Sequence, residues 1–531
     1  MRNLELPGRS PVHATNGMAA TSHPLSTMTA VKVLQDGGNA MDAAVAACAV
    51  QCVVEPGSTG IGGDCFMLFA PGRGGETVAF NGSGRAPAAA SVEWYVENGI
   101  DAIERFTPHS VTVPGAVDAW ETLLKDYGTM GLDRLLKPAI AFARGGYPIH
   151  SRVSVDFATG AEAALRHDPN AERVMLPGGQ PPKVGSIHRQ PELADTMELI
   201  AEKGRDAFYF GPVAEDIVSH LQSLGGLHTM EDFAEAKGEY VTPVRTRYRG
   251  YEVYECPPNG QGIVALEMLN ILSGFDVSGM APLSAERLHL LIEATRLAYR
   301  DRDDAVADPA QAQVPIDWML SAERANELRA AIAADRAMAP PRPSDMPAHA
   351  DTVYLCVVDK DRNAVSFINS LFAGFGSGIM APKSGVLLHN RGNGFVVQSG
   401  HPNCIAPRKR PLHTIIPGML AKGGRAVMPF GVMGGHYQAV GHSFVLGNII
   451  DFGLDVQEAI DLARIFAPPG GHVEIEAGVP EETVGELKAL GHKVAATEKP
   501  IGGGQAILID WDTGVLTGGS DPRKDGCALG Y

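Results

Sequence analysis

The chain has 531 residues, 45% hydrophobic and 20% charged, so it can bury a large core. Its 44 Lys and Arg against 61 Asp and Glu give a formal net charge of −17, which argues against nucleic acid as a partner because phosphates would be repelled. Seven cysteines, an odd number with no Cys-x-x-Cys pair, favour a reducing compartment without disulfides.

The N-terminal region predicts two helices followed by a strand. Residues 26–35 have a helical pattern, and Asn39 then caps a second helix, with Asp42 as the acid of a capping box. The apolar stretch 43–54 is too short to span a bilayer and predicts a buried helix. Residues 65–69 predict a buried strand. Because no apolar signal segment precedes these elements, we expect a cytoplasmic protein without a membrane partner.

The middle of the chain is mainly helical in pattern. Further helices are predicted at residues 116–127, 132–144, 191–203, 213–224 and 284–302. On the last of these, His289 and Glu293 lie four residues apart, but Arg296 and Arg300 beside them favour an exposed, solvated face.

Residues 351–378 carry a strong hairpin pattern. A strand ending at Val358 is followed by a polar turn, a second strand up to Ser370 and a glycine cluster. Residues 338–350, with four prolines, precede it as a loose tether. Cutting between Asp351 and Thr352 would leave a hydroxyl and a free α-amine on Thr352, which is a nucleophile with its own base.

The C-terminal third alternates strands, predicted at residues 386–388, 506–509 and 515–517, with glycine-rich turns. Hairpins plus abundant helices predict an α+β fold with sheets covered by helices on both sides. The chain lacks the Gly-x-Ser-x-Gly, Gly-x-Gly-x-x-Gly, P-loop and His-Glu-x-x-His motifs. The 17 histidines are scattered, so the sequence predicts neither a metal nor a cofactor.

Several ordered motifs carry a family resemblance. They lie at residues 19–25, 37–44, 60–64, 112–117, 257–262, 409–412, 433–435 and 520–523. Together with Thr352 they resemble the gamma-glutamyltranspeptidase family of N-terminal-nucleophile hydrolases. The resemblance implies an αββα sandwich and a precursor that cleaves itself before Thr352. Its two pieces, residues 1–351 and 352–531, would stay associated as one intertwined body.

The resemblance also implies the catalytic residues. Thr352 matches the nucleophile, whose α-amine has an ordinary pKa of about 7.7–8.0 and can act as the base. Gly434 and Gly435 match the backbone donors that stabilise the oxyanion. Ser370 stands where the family has a second threonine that supports the nucleophile. The implied reaction forms an acyl-enzyme, which water or an amine resolves.

The substrate pocket departs from the γ-glutamyl pattern. Ser83 stands where those members have a carboxylate-binding arginine, with Arg85 two residues later. Gly394 stands where those members have the acid that binds the α-ammonium of the substrate. Arg391 stands where they have an uncharged residue. An acyl group with a carboxylate and no α-amine fits this change, because arginine forks bind carboxylates in a bidentate manner.

Three further substrate-binding candidates replace family residues: His413 and Thr414 stand for paired serines, and Phe372 for an asparagine. His413 either contacts the substrate or is a hydrogen-bonded histidine of the core. Arg85 and Arg391 either bind a substrate carboxylate, lie on the surface or form structural ion pairs.

The pocket resembles the branch that contains oxamate amidohydrolase, which implies hydrolysis of a small carboxylate-bearing amide. The alternatives are a γ-glutamyltransferase or glutathione hydrolase, an acylase for larger side chains, and an uncleaved, non-enzymatic scaffold. Intact Thr352, Gly434 and Gly435 argue against the scaffold. The expected partners are a small amide, water or an amine acceptor, the chain's own fragments and a homo-oligomeric copy.

Overall fold

The computed structural model describes residues 4–5, 8–342 and 352–531. Asp351 and the tether residues 343–350 therefore lie outside the described residues. The strands of the described part are β1 (Val12–Ala14), β2 (Met18–Thr21), β3 (Asp64–Ala70), β4 (Val78–Gly82), β5 (Tyr147–Pro148), β6 (Ile187–His188), β7 (Glu239–Val241), β8 (Val244–Tyr248), β9 (Tyr251–Glu255), β10 (Val353–Val358), β11 (Ala364–Ser370), β12 (Gly418–Lys422), β13 (Arg425–Met433), β14 (Ile465–Phe466), β15 (Val473–Ile475), β16 (Val494–Ala496), β17 (Gly503–Ile509), β18 (Leu516–Ser520) and β19 (Cys527–Gly530).

The α-helices of the described part lie between residues 24 and 489. They are α1 (Pro24–Gln35), α2 (Ala40–Val54), α3 (Val92–Glu97), α4 (Ala116–Tyr127), α5 (Leu132–Leu135), α6 (Lys137–Gly145), α7 (Ser151–Ala163), α8 (Pro169–Met175), α9 (Pro191–Lys203), α10 (Asp206–Tyr209), α11 (Pro212–Ser223), α12 (Met230–Ala234), α13 (Gly262–Leu272), α14 (Ala285–Ala305), α15 (Ile316–Met319), α16 (Ala322–Ala330), α17 (Gln438–Ile450), α18 (Val456–Asp461) and α19 (Glu481–Ala489).

Two seven-stranded antiparallel sheets form the centre of the molecule. Sheet I has the order β1-β18-β17-β13-β12-β9-β8, and sheet II has the order β19-β2-β10-β11-β3-β4-β7. Strands β10 and β11 form the predicted hairpin, with Val353 paired to Asn369 and Val358 to Ala364. The hairpin is central in sheet II, since β2 borders β10 and β3 borders β11.

Helices cover the outer face of each sheet. One core cluster lies between the sheets and includes Tyr354 and Cys356 of β10. Leu355 and Val357 of the same strand belong to a second cluster, which sheet II shares with α2, α4 and α9. A third cluster joins sheet I to α13, α14 and α17. Because a strand with both faces buried must be apolar throughout, β10 has the unbroken apolar run seen in the sequence. The predicted αββα sandwich is confirmed.

Two sequence predictions for local structure were wrong. The helix expected over residues 132–144 is divided into α5 and α6, because Pro138 lacks the N–H that a continuous helix needs. Residues 386–388 do not form a strand. Leu387 and Leu388 make only isolated bridges, to Met380 and Gly62.

The exposed face predicted for α14 was also wrong. His289 is 2% exposed, Glu293 is 0% exposed and Arg296 is 3% exposed, so this part of the face packs into the protein, and of the four residues only Arg300 is exposed. All seven cysteines lie in the described part and are free thiols. Among the described helices, none is long and apolar enough to cross a membrane.

Candidate active site

Three polar residues lie in one row across neighbouring strands of sheet II. Thr352 directly precedes β10, Ser370 ends β11 and Asp64 begins β3. Ser370 is paired with Asp64, and Thr352 lies one residue beyond the pair that Val353 makes with Asn369. Directly opposite residues of antiparallel strands share a face, so all three side chains point between the sheets. The row therefore places a polar site at one end of an otherwise apolar layer.

The hydroxyl groups of the row are hydrogen-bonded to each other. Thr352 Oγ1 lies 3.1 Å from Ser370 Oγ, and both residues are buried. The Phe372 N–H donates to Ser370 Oγ at 2.9 Å. Ser370 is thus held by the next turn of the chain, and the predicted proximity of Ser370 to the nucleophile is present in the structure.

The glycine pair reaches this end of the molecule from sheet I. Gly434 and Gly435 follow β13 and precede α17, with φ angles of +131° and +58°. A Cβ atom on Gly434 would lie 2.9 Å from the Gly502 Cα atom. The left-handed backbone and this close approach both require glycine at position 434. The pair leads into α17, where backbone N–H groups favour negative charge.

Arg391 is a buried cation beside this row. Its guanidinium stacks on the Phe372 ring, with the Cζ atom 4.0 Å from the ring centroid. Its Nη1 atom donates to Thr414 Oγ1 at 3.1 Å. Its Nε and Nη2 atoms have no hydrogen-bond partner among the described residues. Burial lowers the pKa of Arg391 to about 9, although the charge of Asp64 acts in the opposite direction, so the group is cationic at neutral pH.

Asp64 is a buried carboxylate that the protein itself already engages. It accepts the N–H of Gly84 at 3.0 Å, the N–H of Gly115 at 3.3 Å, and His413 Nε2 at 3.0 Å. Burial raises the pKa of Asp64, but His389, the hydrogen bond from His413 and the charge of Arg391 outweigh it and lower this pKa to about 2. Asp64 is therefore ionised and internally paired.

His413 is hydrogen-bonded through both ring nitrogens. Its Nδ1 atom accepts the Ile415 N–H at 3.4 Å, so the hydrogen lies on Nε2 and is donated to Asp64. Burial and the charge of Arg391 lower the pKa of His413 to about 3, against the effect of Asp64. These contacts favour a satisfied core histidine that orients Asp64. Direct contact of His413 with substrate stays a prediction.

Arg85 is engaged in an ion-pair network. Its guanidinium lies 3.6 Å from Glu239 and 3.6 Å from Asp308, and its Nη1 donates to the Arg408 carbonyl at 3.1 Å. Its side chain lines a surface cavity of about 380 Å³ together with Ser83. This geometry favours the ion-pair alternative for Arg85, whose role as a carboxylate ligand stays a prediction.

A second buried polar cluster, here called the α14 cluster, consists of His289, Glu293, Arg296 and His492. Candidate metal-ligand atoms of His289, Glu293 and His492 lie within 4.8 Å of one another. However, His289 Nδ1 and His492 Nε2 are hydrogen-bonded at 2.7 Å. Glu293 binds Arg296 at 3.0 Å and the Met338 N–H at 2.9 Å. The protein itself thus uses the atoms that a cation would need.

Two residues of the site were not singled out from the sequence. Asp64 and Gln261 both fall inside segments that carried the family resemblance, but their types alone predict no role. Gln261 donates to the backbone carbonyls of Thr414 and Gly435. The sequence signal for Asp64 was its position directly before a predicted buried strand. Burying a charged side chain is costly unless it is paired, so an acid at such a position indicates a specific partner.

Known proteins resemble this chain over its whole length. Residues 26–531 match the family model described as Gamma-glutamyltranspeptidase. The chain is 38% identical to the glutathione hydrolase-like YwrD proenzyme of Bacillus subtilis, covering 98% of this chain and 99% of that protein. It is 32% identical to the oxamate amidohydrolase proenzyme of Klebsiella pneumoniae, again covering 98% and 99%. The cephalosporin acylase structure from Bacillus halodurans matches with a TM-score of 0.93 and 39% identity, covering 100% of this chain and 99% of that one.

Proposed function

The chain belongs to the gamma-glutamyltranspeptidase family, and on that basis we propose that it is a self-cleaving amidohydrolase for small amides whose acyl group carries a carboxylate. The family makes it an N-terminal-nucleophile amidohydrolase or acyltransferase. The substrate class rests on the pocket, because relatives of similar identity are named for glutathione, oxamate and cephalosporin.

Maturation would use the same hydroxyl as catalysis. Thr352 Oγ1 attacks the carbonyl carbon of Asp351, and the peptide bond becomes an ester as the nitrogen takes a proton. Water then cleaves the ester, leaving a carboxylate on Asp351 and a free α-amine on Thr352. The pieces would have 351 and 180 residues, and the proenzyme names of the relatives support this step.

Catalysis would follow from the geometry of the row. The α-amine takes the hydroxyl proton while Oγ1 attacks the substrate carbonyl, with Ser370 Oγ 3.1 Å away to orient it. The N–H groups of Gly434 and Gly435 stabilise the oxyanion, each worth roughly 2.7–4 kcal/mol of barrier. The C–N bond breaks as the leaving amine takes the proton, and water then hydrolyses the ester on Thr352.

The free edge of Arg391 is the observation that carries the substrate class. Nε and Nη2 lie on the same edge of a guanidinium and can hold both oxygens of a carboxylate. Here these two nitrogens are buried and unpartnered among the described residues, while Nη1 is used by Thr414. A buried cation with unused donors is costly unless a ligand completes it. A substrate carboxylate supplies both the charge and the acceptors.

The same site offers little to a substrate ammonium. Gly394 has no side chain, and the nearby Asp64 already accepts three hydrogen bonds from the protein. A desolvated ammonium would therefore face Arg391 without a free carboxylate, at a cost of several kcal/mol. The overall similarity to a glutathione hydrolase-like protein favours the alternative of γ-glutamyl cleavage, which the same experiment can test.

The test compares substrates that differ only in charge. Purified two-fragment enzyme is assayed for ammonia release from oxamate and succinamate, and from their methyl esters as neutral matched controls. A γ-glutamyl anilide is assayed alongside. We expect the free acids to exceed their esters by about 10- to 100-fold in kcat/KM, the typical worth of a charge-assisted hydrogen-bonded pair. Efficient anilide cleavage with no preference for the free acids would support γ-glutamyl cleavage and refute our proposal.

A further inference from the structure

The Gln261 side chain bridges two functional parts of the site. Its Nε2 atom donates to the Thr414 carbonyl at 2.9 Å and to the Gly435 carbonyl at 3.0 Å. Its Oε1 atom accepts from Arg302 Nη1 at 3.0 Å. The residue is fully buried. One amide thus spans the oxyanion glycine and the residue whose hydroxyl holds Arg391.

The hydrogen bonds fix which way this amide points. Carbonyl oxygens only accept, and a guanidinium only donates. Nε2 must therefore face Thr414 and Gly435, and Oε1 must face Arg302. Both amide hydrogens are used, so a reversed amide would put its oxygen against two carbonyls. The bridge has a single orientation.

The supports of Gln261 are themselves held. Its backbone N–H donates to the His413 carbonyl at 2.8 Å. Arg302 also contacts His436 Nδ1 at 2.8 Å and Asp303 at 2.7 Å. His436 directly follows Gly435, so Arg302 and Gln261 hold the oxyanion turn at two successive residues.

We propose that Gln261 is a positioning residue that couples the oxyanion donors to the carboxylate-binding Arg391. This inference rests on the proposed function of that site. By holding the Gly435 carbonyl, Gln261 fixes the backbone of Gly435 and, through it, the position of the glycine N–H groups. Through the Thr414 carbonyl, it sets the hydroxyl that binds Arg391 Nη1. Loss of the bridge should therefore affect turnover and carboxylate binding together.

Two variants remove the bridge in different ways. Gln261→Met keeps the length of the side chain but loses all three hydrogen bonds. Gln261→Glu keeps an acceptor for Arg302 but turns an oxygen towards the two carbonyls. Gln457→Met is the matched control, because buried Gln457 also makes three hydrogen bonds, to Asp461 and to both backbone groups of Ser520.

The measurements are fragment formation, thermal unfolding, and kcat and KM for the best substrate found among the amides tested above. We expect both Gln261 variants to lower kcat by about 10- to 100-fold, since small displacements of oxyanion donors have effects of this size. KM for the carboxylate substrate should rise as well. Gln457→Met should stay within about twofold of wild type in both constants.

A double substitution tests the coupling. Coupled residues do not have additive effects. The factor by which Arg391→Gln raises KM should therefore be at least about threefold smaller in the Gln261→Met background than in wild type. In the Gln457→Met background its effect should be unchanged. A merely structural glutamine would lower the unfolding temperature without producing this interaction.

The outcomes separate this inference from the proposed function. If Arg391→Gln raises KM but the folded Gln261 variants behave like Gln457→Met, the positioning role is refuted and the substrate class stands. If Arg391→Gln is silent, the substrate class fails, and the fall in kcat of the Gln261 variants still tests the link to Gly435. If neither Gln261 variant yields folded, two-fragment enzyme while Gln457→Met does, Gln261 is a folding residue and our inference is wrong.

Discussion

The site around Thr352 and the α14 cluster are both buried groups of histidine, carboxylate and arginine, but they differ in whether the guanidinium of the arginine is paired with a carboxylate. In the α14 cluster, Arg296 is paired with Glu293 at 3.0 Å, and His289 Nε2 lies 2.8 Å from the Ala333 carbonyl. At the site, Arg391 keeps Nε and Nη2 without a partner among the described residues. The difference teaches that residue type and burial do not by themselves distinguish a structural arginine from one that can bind a ligand; the pairing of the guanidinium does.

The two arrangements have different energetic consequences. A paired buried charge depends on its partner, and removing one member typically costs about 3–5 kcal/mol. A buried donor without a partner already costs about 1–3 kcal/mol in the folded state. The α14 cluster should therefore matter for stability, and Arg391 for binding.

The largest expected effect is loss of the nucleophile. Thr352→Ala should stay a single chain without amidase activity, because no hydroxyl can attack the preceding carbonyl. Thr352→Ser, which keeps a hydroxyl, should give pieces of 351 and 180 residues. Mass spectrometry of both variants checks this. A smaller fragment that begins elsewhere than residue 352 would overturn the assignment.

The glycine pair should come next. Gly435→Val should lower turnover by about 100-fold or more, because a side chain there crowds the oxyanion position. Gly423→Val is the control, since Gly423 has a similar φ of +59° but lies in the turn between β12 and β13 with open space around it. Both substitutions place a valine at nearly the same positive φ, so equal turnover in the two variants would remove the pair from the mechanism.

A pair of arginine substitutions tests the comparison most directly. Arg391→Gln should raise KM for a carboxylate substrate by about 10- to 100-fold and cost little stability. Arg296→Gln should leave KM unchanged and lower the free energy of unfolding by about 3–5 kcal/mol. Kinetics and denaturant unfolding of both proteins measure this. The reverse pattern would exchange the roles that we assign to the two clusters.

The smallest expected effect is on the pH dependence of stability. Burial, the charge of Arg296 and the neighbouring His289 lower the pKa of His492 to about 4, against about 6.5 in the unfolded chain. Between these values the unfolded chain binds more protons, so His492 should reduce stability as pH falls from 6.5 towards 4. His492→Asn should make this decline shallower: the slope of the free energy of unfolding against pH should fall by an amount that corresponds to at most about one bound proton. Parallel unfolding curves for the two proteins would contradict the expected pKa.

The sequence alone was sufficient for the parts of the molecule that are local. The capping box of Asn39 and Asp42 forms as predicted, and the hairpin that follows Thr352 has the expected strands. Local hydrogen bonds and periodicity determine such elements, so neighbouring residues suffice to predict them. The family resemblance added the αββα arrangement, which is confirmed. It also suggested Ser370, Gly434 and Gly435, and their catalytic roles stay predictions.

Only the tertiary structure decided how distant residues meet. Arg85 and Arg391 were equivalent candidates in the sequence, but the fold pairs Arg85 with Glu239 and Asp308 and leaves an edge of Arg391 unpartnered. Thr352, Ser370 and Asp64 form a row because β3, β10 and β11 are adjacent in a particular register. Register and burial depend on packing between segments hundreds of residues apart. That packing also determines whether a buried charge has a partner within the protein or keeps donors that a ligand can use.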